Sequence, residues 1–220
     1  MKTNRLAIIM LGPPGAGKGT QARMISESLK FPHISTGDML REALGTGSEL
    51  GRKARPFIES GSLVPDDLVD DIVAERLERE DCREGFILDG YPRTIPQAEF
   101  LRNVFEKDGT RALSVAIEVG EPELIRRLSS RWTCPKCGKM FNANLDASKA
   151  GGNCNACGAG LIQRKDDTAE VIAERFQVYQ KSTQPLIEYY RAQRAYLKVN
   201  GDRSAGEIFD SIMSEIASYQ

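Results

Sequence analysis

The sequence lacks the long apolar runs that mark membrane and exported proteins. No run approaches the roughly 20 apolar residues that a membrane-spanning helix needs. The run at residues 6–11 follows Lys2 and Arg5, but it is six residues long and leads directly into Gly12-Pro13-Pro14-Gly15, without a small-residue cleavage site. We therefore expect a cytoplasmic protein that has no membrane partner.

An excess of charge of one sign is also missing. Thirty Lys and Arg residues stand against 31 Asp and Glu residues, which gives a formal net charge of −1 at pH 7. The charges form no long block of one sign. Nucleic acid is therefore not expected as a partner.

What the chain does have is the size and the pattern of one α/β core. Its 220 residues suit a single core with insertions. Short apolar runs at residues 6–11, 86–88, 113–119 and 196–199 alternate with helical patterns at 21–29, 66–80 and 96–106, which indicates a mainly parallel sheet flanked by helices. A further helix is expected to begin at Asp167 and to run to about Pro185, and a capping box at Ser204–Glu207 predicts a last one.

A glycine-rich turn follows the first predicted strand and reads Gly12-Pro13-Pro14-Gly15-Ala16-Gly17-Lys18-Gly19-Thr20. Between a strand and a helix, such a turn points backbone N–H groups at an anion, and its lysine reaches the β and γ phosphates. Gly19 stands where the simplest motif has Ser or Thr, and the hydroxyl comes one residue later at Thr20. A turn without a ligand is the alternative, but the strand, spacing, lysine and helix together favour a nucleoside triphosphate site.

Asp89 ends the predicted buried strand that includes residues 86–88. In phosphate-loop proteins an aspartate at this place commonly holds Mg²⁺ or its waters. Taken alone it could equally be a turn or cap residue. Because it would lie beside the glycine-rich turn of residues 12–20, which we call the phosphate loop, we interpret Asp89 as the residue that holds Mg²⁺ or its waters.

Four of the five cysteines form two CxxC pairs, Cys134/Cys137 and Cys154/Cys157, separated by sixteen residues in a segment with little apolar periodicity. Two such pairs can bring four thiolates to one structural Zn²⁺, whose binding would supply the folding free energy of the segment. Two disulfides are the alternative. Cys82 lies apart from the four and is expected to be a partly buried packing residue.

Four motifs in order along the chain resemble the signatures of the adenylate kinase family. They are Gly19-Thr20-Gln21 after the phosphate loop, Ile34-Ser35-Thr36-Gly37-Asp38-Met39-Leu40-Arg41, Asp89-Gly90-Tyr91-Pro92-Arg93-Thr94 and Arg164-Lys165-Asp166-Asp167. The resemblance covers essentially the whole chain. It implies an ATP:AMP phosphotransferase with a core of five parallel strands (residues 1–34, 65–130 and 165–220), an AMP-binding insertion (35–64) and a zinc-bound lid (131–164).

The resemblance also implies the roles of individual residues. The catalytic group would be Lys18, Asp89, Arg93, Arg131, Arg164 and Arg175. ATP would be bound by Gly15, Ala16, Gly17, Lys18, Gly19, Thr20, Arg127, Arg131, Met140, Phe141 and Arg203. AMP would be bound by Thr36, Arg41, Ser62, Leu63, Val64, Gly90, Tyr91, Pro92, Arg93, Gln97, Arg164 and Arg175, with Gln97 reading the adenine.

The residues agree with this chemistry in kind, because phosphoryl transfer depends mostly on positioning and on charge neutralisation by Lys, Arg and Mg²⁺. No nucleophilic Ser, Cys or His is needed, and His33, the only histidine, is expected to be a structural strand residue. ATP, AMP and ADP are the expected ligands, and a monomer is the expected state. Each arginine alone could instead be a solvated surface charge, the alternative weighed most for Arg127 and Arg203.

Two other functions compete with this interpretation. A nucleic-acid-binding protein with a zinc ribbon would use the positive cysteine segment, which has six basic residues and one acidic residue between residues 131 and 165. A sister kinase would phosphorylate UMP, CMP or GMP, or would take GTP as donor. The near-neutral net charge opposes the nucleic-acid-binding interpretation. Thr36 and Gln97 favour adenine as the acceptor base, which opposes the sister-kinase interpretation.

Overall fold

A parallel five-stranded sheet forms the centre of the protein, as seen in a computed structural model that describes residues 5–144, 150–193 and 195–219. In chain order the strands are β1 (Leu6–Leu11), β2 (His33–Ser35), β3 (Gly85–Asp89), β4 (Arg111–Glu118), β5 (Arg131–Thr133), β6 (Met140–Asn142) and β7 (Tyr196–Asn200). The sheet has the order β2-β3-β1-β4-β7, and its paired strands are all parallel. The predicted fold class is confirmed.

Helices cover both faces of this sheet. They are α1 (Lys18–Leu29), α2 (Thr36–Thr46), α3 (Glu49–Ser60), α4 (Asp66–Leu77), α5 (Ile95–Asp108), α6 (Glu121–Ser129), α7 (Ala169–Val178), α8 (Leu186–Ala192) and α9 (Ala205–Tyr219). The central strand β1 shows why two helical layers are needed. Ala7, Ile9 and Leu11 pack into one apolar cluster, and Leu6, Ile8 and Met10 pack into the other.

β5 and β6 form a separate antiparallel pair outside the main sheet. Next to this pair, Thr133 and Ile162 exchange two backbone hydrogen bonds, with N···O distances of 2.8 and 3.0 Å. The chain that enters the cysteine segment therefore lies beside the chain that leaves it.

The parallel arrangement brings the C-terminal ends of β1, β2 and β3 to one edge of the sheet. Leu11 leads into the glycine-rich turn, Ser35 leads into α2, and Asp89 ends β3. Ligands bind at this edge in open α/β sheets. The topology therefore gathers three of the four sequence motifs in one place.

Three details differ from the sequence predictions. Asp167 does not begin a helix: it ends a 3₁₀ turn, and its carboxylate accepts hydrogen bonds from Arg131, while Thr168 caps α7 instead. After α7 the backbone widens into a π-helical segment, Tyr179–Thr183. Cys82, which was expected to be partly buried, is fully buried in a 3₁₀ turn.

Replacing Gly51 by alanine should destabilise the arm formed by α2 and α3. A Cβ atom at Gly51 would lie 2.1 Å from the carbonyl oxygen of Ala43, so the two helices would have to separate. We expect the free energy of unfolding in urea to fall by about 1–3 kcal/mol. The matched control is Gly45→Ala, where the added methyl group meets nothing within 4 Å and should stabilise the helix by up to about 1 kcal/mol. Equal stability of the Gly51 variant and wild type would contradict this close packing.

Candidate functional site

The glycine-rich turn between β1 and α1 has the conformation of an anion-binding loop. Gly12, Gly15 and Gly17 have φ angles of 139°, 85° and 97°, in the left-handed region that favours glycine. Lys18, the first residue of α1, donates hydrogen bonds from Nζ to the carbonyl oxygens of Gly12 (2.8 Å) and Pro13 (2.9 Å). Desolvation lowers the pKa of Lys18 to about 8, against the attraction of Asp89 and together with the repulsion of nearby arginines. An anion placed in the loop would raise that pKa, because a nearby negative charge favours the charged form of the lysine.

Gly19, which departs from the simplest phosphate-loop pattern, lies in a tight place. A Cβ atom there would be 3.0 Å from Asp89 Oδ2 and 3.1 Å from Met140 Cε. A serine or threonine at this position would require the ends of both side chains to shift by a few tenths of an ångström.

A cleft of about 650 Å³ opens above the phosphate loop. It is lined by every residue predicted to bind ATP, namely Gly15, Ala16, Gly17, Lys18, Gly19, Thr20, Arg127, Arg131, Met140, Phe141 and Arg203. Arg127 is held in place by Glu123 (2.7 Å) and donates to the carbonyl oxygen of Gly201 (2.9 Å). We call this space the donor cleft.

A second, narrower cavity lies against α2 and α3. Its lining includes nine of the predicted AMP residues: Thr36, Arg41, Ser62, Leu63, Val64, Gly90, Arg93, Gln97 and Arg175. We call it the acceptor cavity. Arg164 lines the donor cleft instead, and neither Tyr91 nor Pro92 is part of the described lining of the acceptor cavity. Tyr91 is buried and donates from its hydroxyl group to Asp70 (2.6 Å).

Arginines crowd the junction of the two spaces. Arg41, Arg93 and Arg175 line both the donor cleft and the acceptor cavity. Desolvation and, after it, the neighbouring charges of Arg41 and Arg131 lower the pKa of Arg164 to about 10. Cations held this close to one another favour a ligand that carries several negative charges.

Three carboxylates contact these arginines, although none of them was predicted as a site residue. The side chains of Asp166 and Asp167 are largely buried, whereas that of Asp38 is 53% exposed. Asp167 accepts from Arg131 (2.8 Å) and Arg175 (3.2 Å), and Asp166 accepts from Arg175 (3.0 Å). Asp38 pairs with Arg41 (2.5 Å) and lies 3.8 Å from Arg164. A signal was available, because all three carboxylates lie within the motifs quoted above.

Asp89 ends β3 beneath the phosphate loop, where its Oδ2 is 3.3 Å from His33 Nε2. Burial alone would raise its pKa, but the hydrogen bond from His33 and the charge of Lys18 outweigh burial, and the net shift is downward. Asp89 is therefore a carboxylate at neutral pH. An oxygen donor near the phosphate loop suits Mg²⁺, a hard cation that prefers carboxylates, waters and phosphates.

The four cysteines of the two CxxC pairs meet at one point, with all four sulfur atoms within 4.8 Å of one another. The separations are 3.4 Å for Cys134–Cys157 and 3.6 Å for Cys137–Cys154, too long for disulfides. Tetrahedral zinc with Zn–S bonds of about 2.3 Å requires sulfur separations of about 3.8 Å. The donor set and its spacing therefore fit zinc, and the disulfide alternative is wrong.

Each CxxC pair is followed by the same turn. The N–H groups of Gly138 and Gly158 donate to the carbonyl oxygens of Cys134 (3.0 Å) and Cys154 (2.8 Å). One of these turns contacts the core, because Arg23 of α1 donates to the carbonyl oxygen of Gly138 (2.9 Å). The cysteine segment therefore contacts α1 and, through Met140 and Phe141, forms part of the wall of the donor cleft.

Replacing Asp166 by asparagine should change the acid sensitivity of the protein. Burial acts to raise the pKa of Asp166, but the charges of Arg175, Arg41 and neighbouring arginines shift it below its usual value. A carboxyl group whose folded pKa is depressed stabilises the fold fully above its unfolded pKa of about 3.9, and this stability is lost as the pH falls through the folded pKa.

We expect wild type to be more stable than Asp166→Asn at pH 7, and we expect the gap in unfolding free energy to narrow below pH of about 4. Urea unfolding at pH 7, 5 and 3 measures it. Asp67→Asn, on an exposed residue, is the control for the loss of one charge. A gap that stays constant across this range would contradict the role given to the arginines.

Within the described parts of the chain, no helix is both long enough and apolar enough to cross a membrane.

Comparison with known proteins agrees with the motifs and the geometry. The family described as "Adenylate kinase" matches residues 10–195. The chain is 46% identical to the adenylate kinase of Fervidobacterium nodosum, over 97% of this chain and 98% of that protein. It is 47% identical to that of Thermosipho melanesiensis (95% and 98%) and 43% identical to that of Syntrophomonas wolfei (96% and 99%).

Proposed function

Since the chain belongs to the adenylate kinase family and is an ATP:AMP phosphotransferase, we propose how its residues divide that reaction between them. In this proposal the donor cleft holds ATP and the acceptor cavity holds AMP. Mg²⁺ accompanies ATP, and zinc occupies the four-cysteine site as a structural ion.

One observation carries the proposal: the two spaces share part of their walls. Gly37, Arg41, Gly90, Arg93 and Arg175 line both. Two ligands placed there would meet end to end with their phosphates among the shared arginines. An enzyme that joins two phosphate-bearing substrates needs this arrangement, because proximity and orientation supply much of the rate enhancement.

On the donor side, the backbone N–H groups of the phosphate loop and Lys18 bind the β and γ phosphates of ATP. Arg127, Arg203, Met140 and Phe141 flank the nucleoside. Asp89 and Thr20 supply oxygen atoms for Mg²⁺ or its waters, and the ion would neutralise charge on the β and γ phosphates when bound.

On the acceptor side, Gln97 and the chain at Ser62, Leu63 and Val64 enclose the adenine of AMP, while Arg41 and Arg93 bind its phosphate. An oxygen of that phosphate attacks the γ-phosphorus atom, and the bond from the γ-phosphorus to the β–γ bridging oxygen breaks. The pair of electrons stays on ADP. A phosphate monoester loses its second proton with a pKa of about 6, so most AMP is a dianion at pH 7 and the step requires no protein base.

Charge neutralisation is then the main contribution of the protein. Arg131, Arg164 and Arg175 gather around the transferring group. Arg131 and Arg175 are aligned beforehand by Asp166 and Asp167, and Arg164 donates a hydrogen bond to Thr133 Oγ1 (3.1 Å). Donors that are already oriented need not reorganise as charge shifts in the transition state. The proposed mechanism accordingly uses no Ser, Cys or His side chain as a nucleophile.

The domain boundaries remain those expected from the sequence, with residues 35–64 as the AMP-binding insertion and 131–164 as the lid. A closed lid excludes water, which would otherwise compete with AMP for the γ-phosphoryl group. The lid remains positive even with a zinc site of charge −2, which suits a cover for a triphosphate. We expect the protein to act in the cytoplasm as a monomer.

Incubation of the purified protein with ADP and Mg²⁺ alone tests the assignment of both sites. Equal amounts of ATP and AMP should form, as measured by chromatography over time, and chelation of Mg²⁺ should stop the reaction until Mg²⁺ is restored. ATP appearing without an equal amount of AMP would contradict the proposal. A panel of UMP, CMP and GMP with ATP, and of GTP with AMP, then measures how strictly each base is selected.

A further inference from the structure

Gln97, the proposed adenine reader, has its side-chain amide held from both ends. Its Nε2 donates to Asp66 Oδ1 (2.8 Å), and its Oε1 accepts from the backbone N–H of Arg93 (2.7 Å). Gln97 is 2% exposed and lines the acceptor cavity. Asp66 is not part of the described lining of that cavity, and its described hydrogen bond toward the cavity is the one to Gln97.

The two partners differ in a way that fixes the direction of the amide. A carboxylate can only accept hydrogen bonds, and a backbone N–H can only donate. If the amide rotated by half a turn, Oε1 would face the carboxylate and the NH₂ group would face the N–H. Both hydrogen bonds would be lost, and two pairs of like partners would meet in a buried place. Asp66 and Arg93 therefore permit one orientation.

That orientation matters because adenine and hypoxanthine have opposite patterns on the edge that Gln97 would read. Adenine has an acceptor at N1 and a donor at its 6-amino group, whereas hypoxanthine has a donor at N1 and an acceptor at O6. An amide that presents one remaining N–H and one lone pair matches both purines, but in opposite orientations. Holding the amide in one orientation thus selects one of the two bases.

Asp66 is itself fixed by a second contact. Its Oδ2 accepts from Thr94 Oγ1 (2.7 Å), and the same Oγ1 caps α5 by accepting from the backbone N–H of Gln97 (3.3 Å). Asp66 is the first residue of α4, and Gln97 lies in the first turn of α5. The carboxylate of Asp66, the hydroxyl of Thr94 and the side chain of Gln97 therefore form one hydrogen-bonded unit that joins α4 to α5.

We propose that Asp66 is a positioning residue that sets the specificity for the acceptor base, by holding the amide of Gln97 in the orientation that accepts 6-aminopurines and rejects 6-oxopurines. This inference rests on the proposed acceptor site. It assigns the discrimination between AMP and IMP to a residue that is not part of the described cavity lining.

The test is Asp66→Asn, assayed with AMP and with IMP as acceptors and ATP as donor. Asparagine has nearly the same shape, but it can offer either an oxygen or an NH₂ group to Gln97, and in either case its other atom can pair with the hydroxyl of Thr94. The reversed amide would then lose its bond to Arg93 and set its NH₂ group against that N–H, but it would keep a hydrogen bond to residue 66. We expect kcat/KM for IMP to rise at least about tenfold, while kcat/KM for AMP changes less than about threefold.

Asp67→Asn is the matched control, because it removes the same charge from the adjacent, exposed residue of α4 and should leave the AMP to IMP ratio at the wild-type value. A merely structural defect in Asp66→Asn would lower kcat/KM for both acceptors and leave their ratio unchanged, and that result would overturn the inference.

A third variant separates this inference from the proposed function. Gln97→Ala should lose most of the preference for AMP if Gln97 reads the base. If it does so and Asp66→Asn keeps the wild-type ratio, the acceptor site stands and the role of Asp66 is wrong. If Gln97→Ala keeps the wild-type ratio, the assignment of the acceptor site fails, and the inference about Asp66 fails with it.

Discussion

Lys18→Met should reduce kcat by about a thousandfold or more while the protein remains folded. The Nζ atom is the cation nearest to the phosphate loop backbone, where it bonds to the carbonyl oxygens of Gly12 and Pro13. Removing one preorganised donor from a developing charge typically costs about 10²–10³ in kcat, and Lys18 additionally carries a full positive charge. Methionine keeps most of the length of the side chain and loses the charge.

The measurement is the initial rate of ATP formation from ADP and Mg²⁺, together with thermal unfolding to show that the fold persists. Lys107→Met makes the same chemical change on an exposed residue of α5 and should retain wild-type kcat. Turnover of Lys18→Met within tenfold of wild type would mean that the phosphate loop does not hold the transferred group.

The double replacement of Cys134 and Cys137 by serine should release the metal and unfold the lid. Only Cys134, Cys154 and Leu161 are buried apolar residues in the described part of that segment, with Trp132 and Phe141 packed against them. So small a core cannot offset the entropy of ordering the chain. In zinc-finger peptides, binding of structural zinc supplies about 10–16 kcal/mol of folding free energy.

Elemental analysis should find about one zinc per chain in wild type and almost none in the double variant. Trp132, the only tryptophan, packs in this cluster, so its fluorescence should move toward that of a solvated indole. Cys82→Ala removes the remaining cysteine, which lies buried in the core, and should leave the metal content unchanged. A double variant that keeps its zinc would rule out the four-cysteine site.

Sequence reasoning reached furthest where function depends on consecutive residues. The phosphate loop, the residues around Thr36 and Arg93 and the two CxxC pairs each carry their chemistry within a few positions. The interior strand β1 was equally clear, because a strand buried on both faces is apolar without alternation. All of these features depend on local spacing.

Other features depend on partners that are distant in the chain. β2 has only three residues, His33–Ser35, and its pairing with β3 defines it as a strand, since so short a stretch has no pattern of its own. Asp66 is 31 positions from Gln97, and Asp167 is 36 positions from Arg131. Asp167 lies within a quoted motif, but the sequence position of neither Asp66 nor Asp167 indicates a partner so far away, so the two pairings became visible only in three dimensions.

The order of the strands was likewise beyond the sequence pattern. Any doubly wound arrangement of these elements would satisfy the same apolar runs. The predicted helix start at Asp167 failed for a related reason: aspartate is a good N-cap, but in this chain its carboxylate serves Arg131 and Arg175. Aspartate suits both a helix N-cap and an ion pair, and the tertiary structure places Asp167 in the ion pairs.

The paired hydrogen bonds between Thr133 and Ile162 bear on how this protein could change in evolution. These hydrogen bonds hold the two ends of the segment between Thr133 and Ile162 together. The two ends therefore lie side by side whatever the length of the segment. The entropy of closing a loop rises only slowly with loop length. Insertions, deletions or the loss of the cysteines can therefore accumulate beyond Thr133 without shifting the register of the main sheet, and the proposed lid can be remodelled while the arginines proposed as catalytic stay in place.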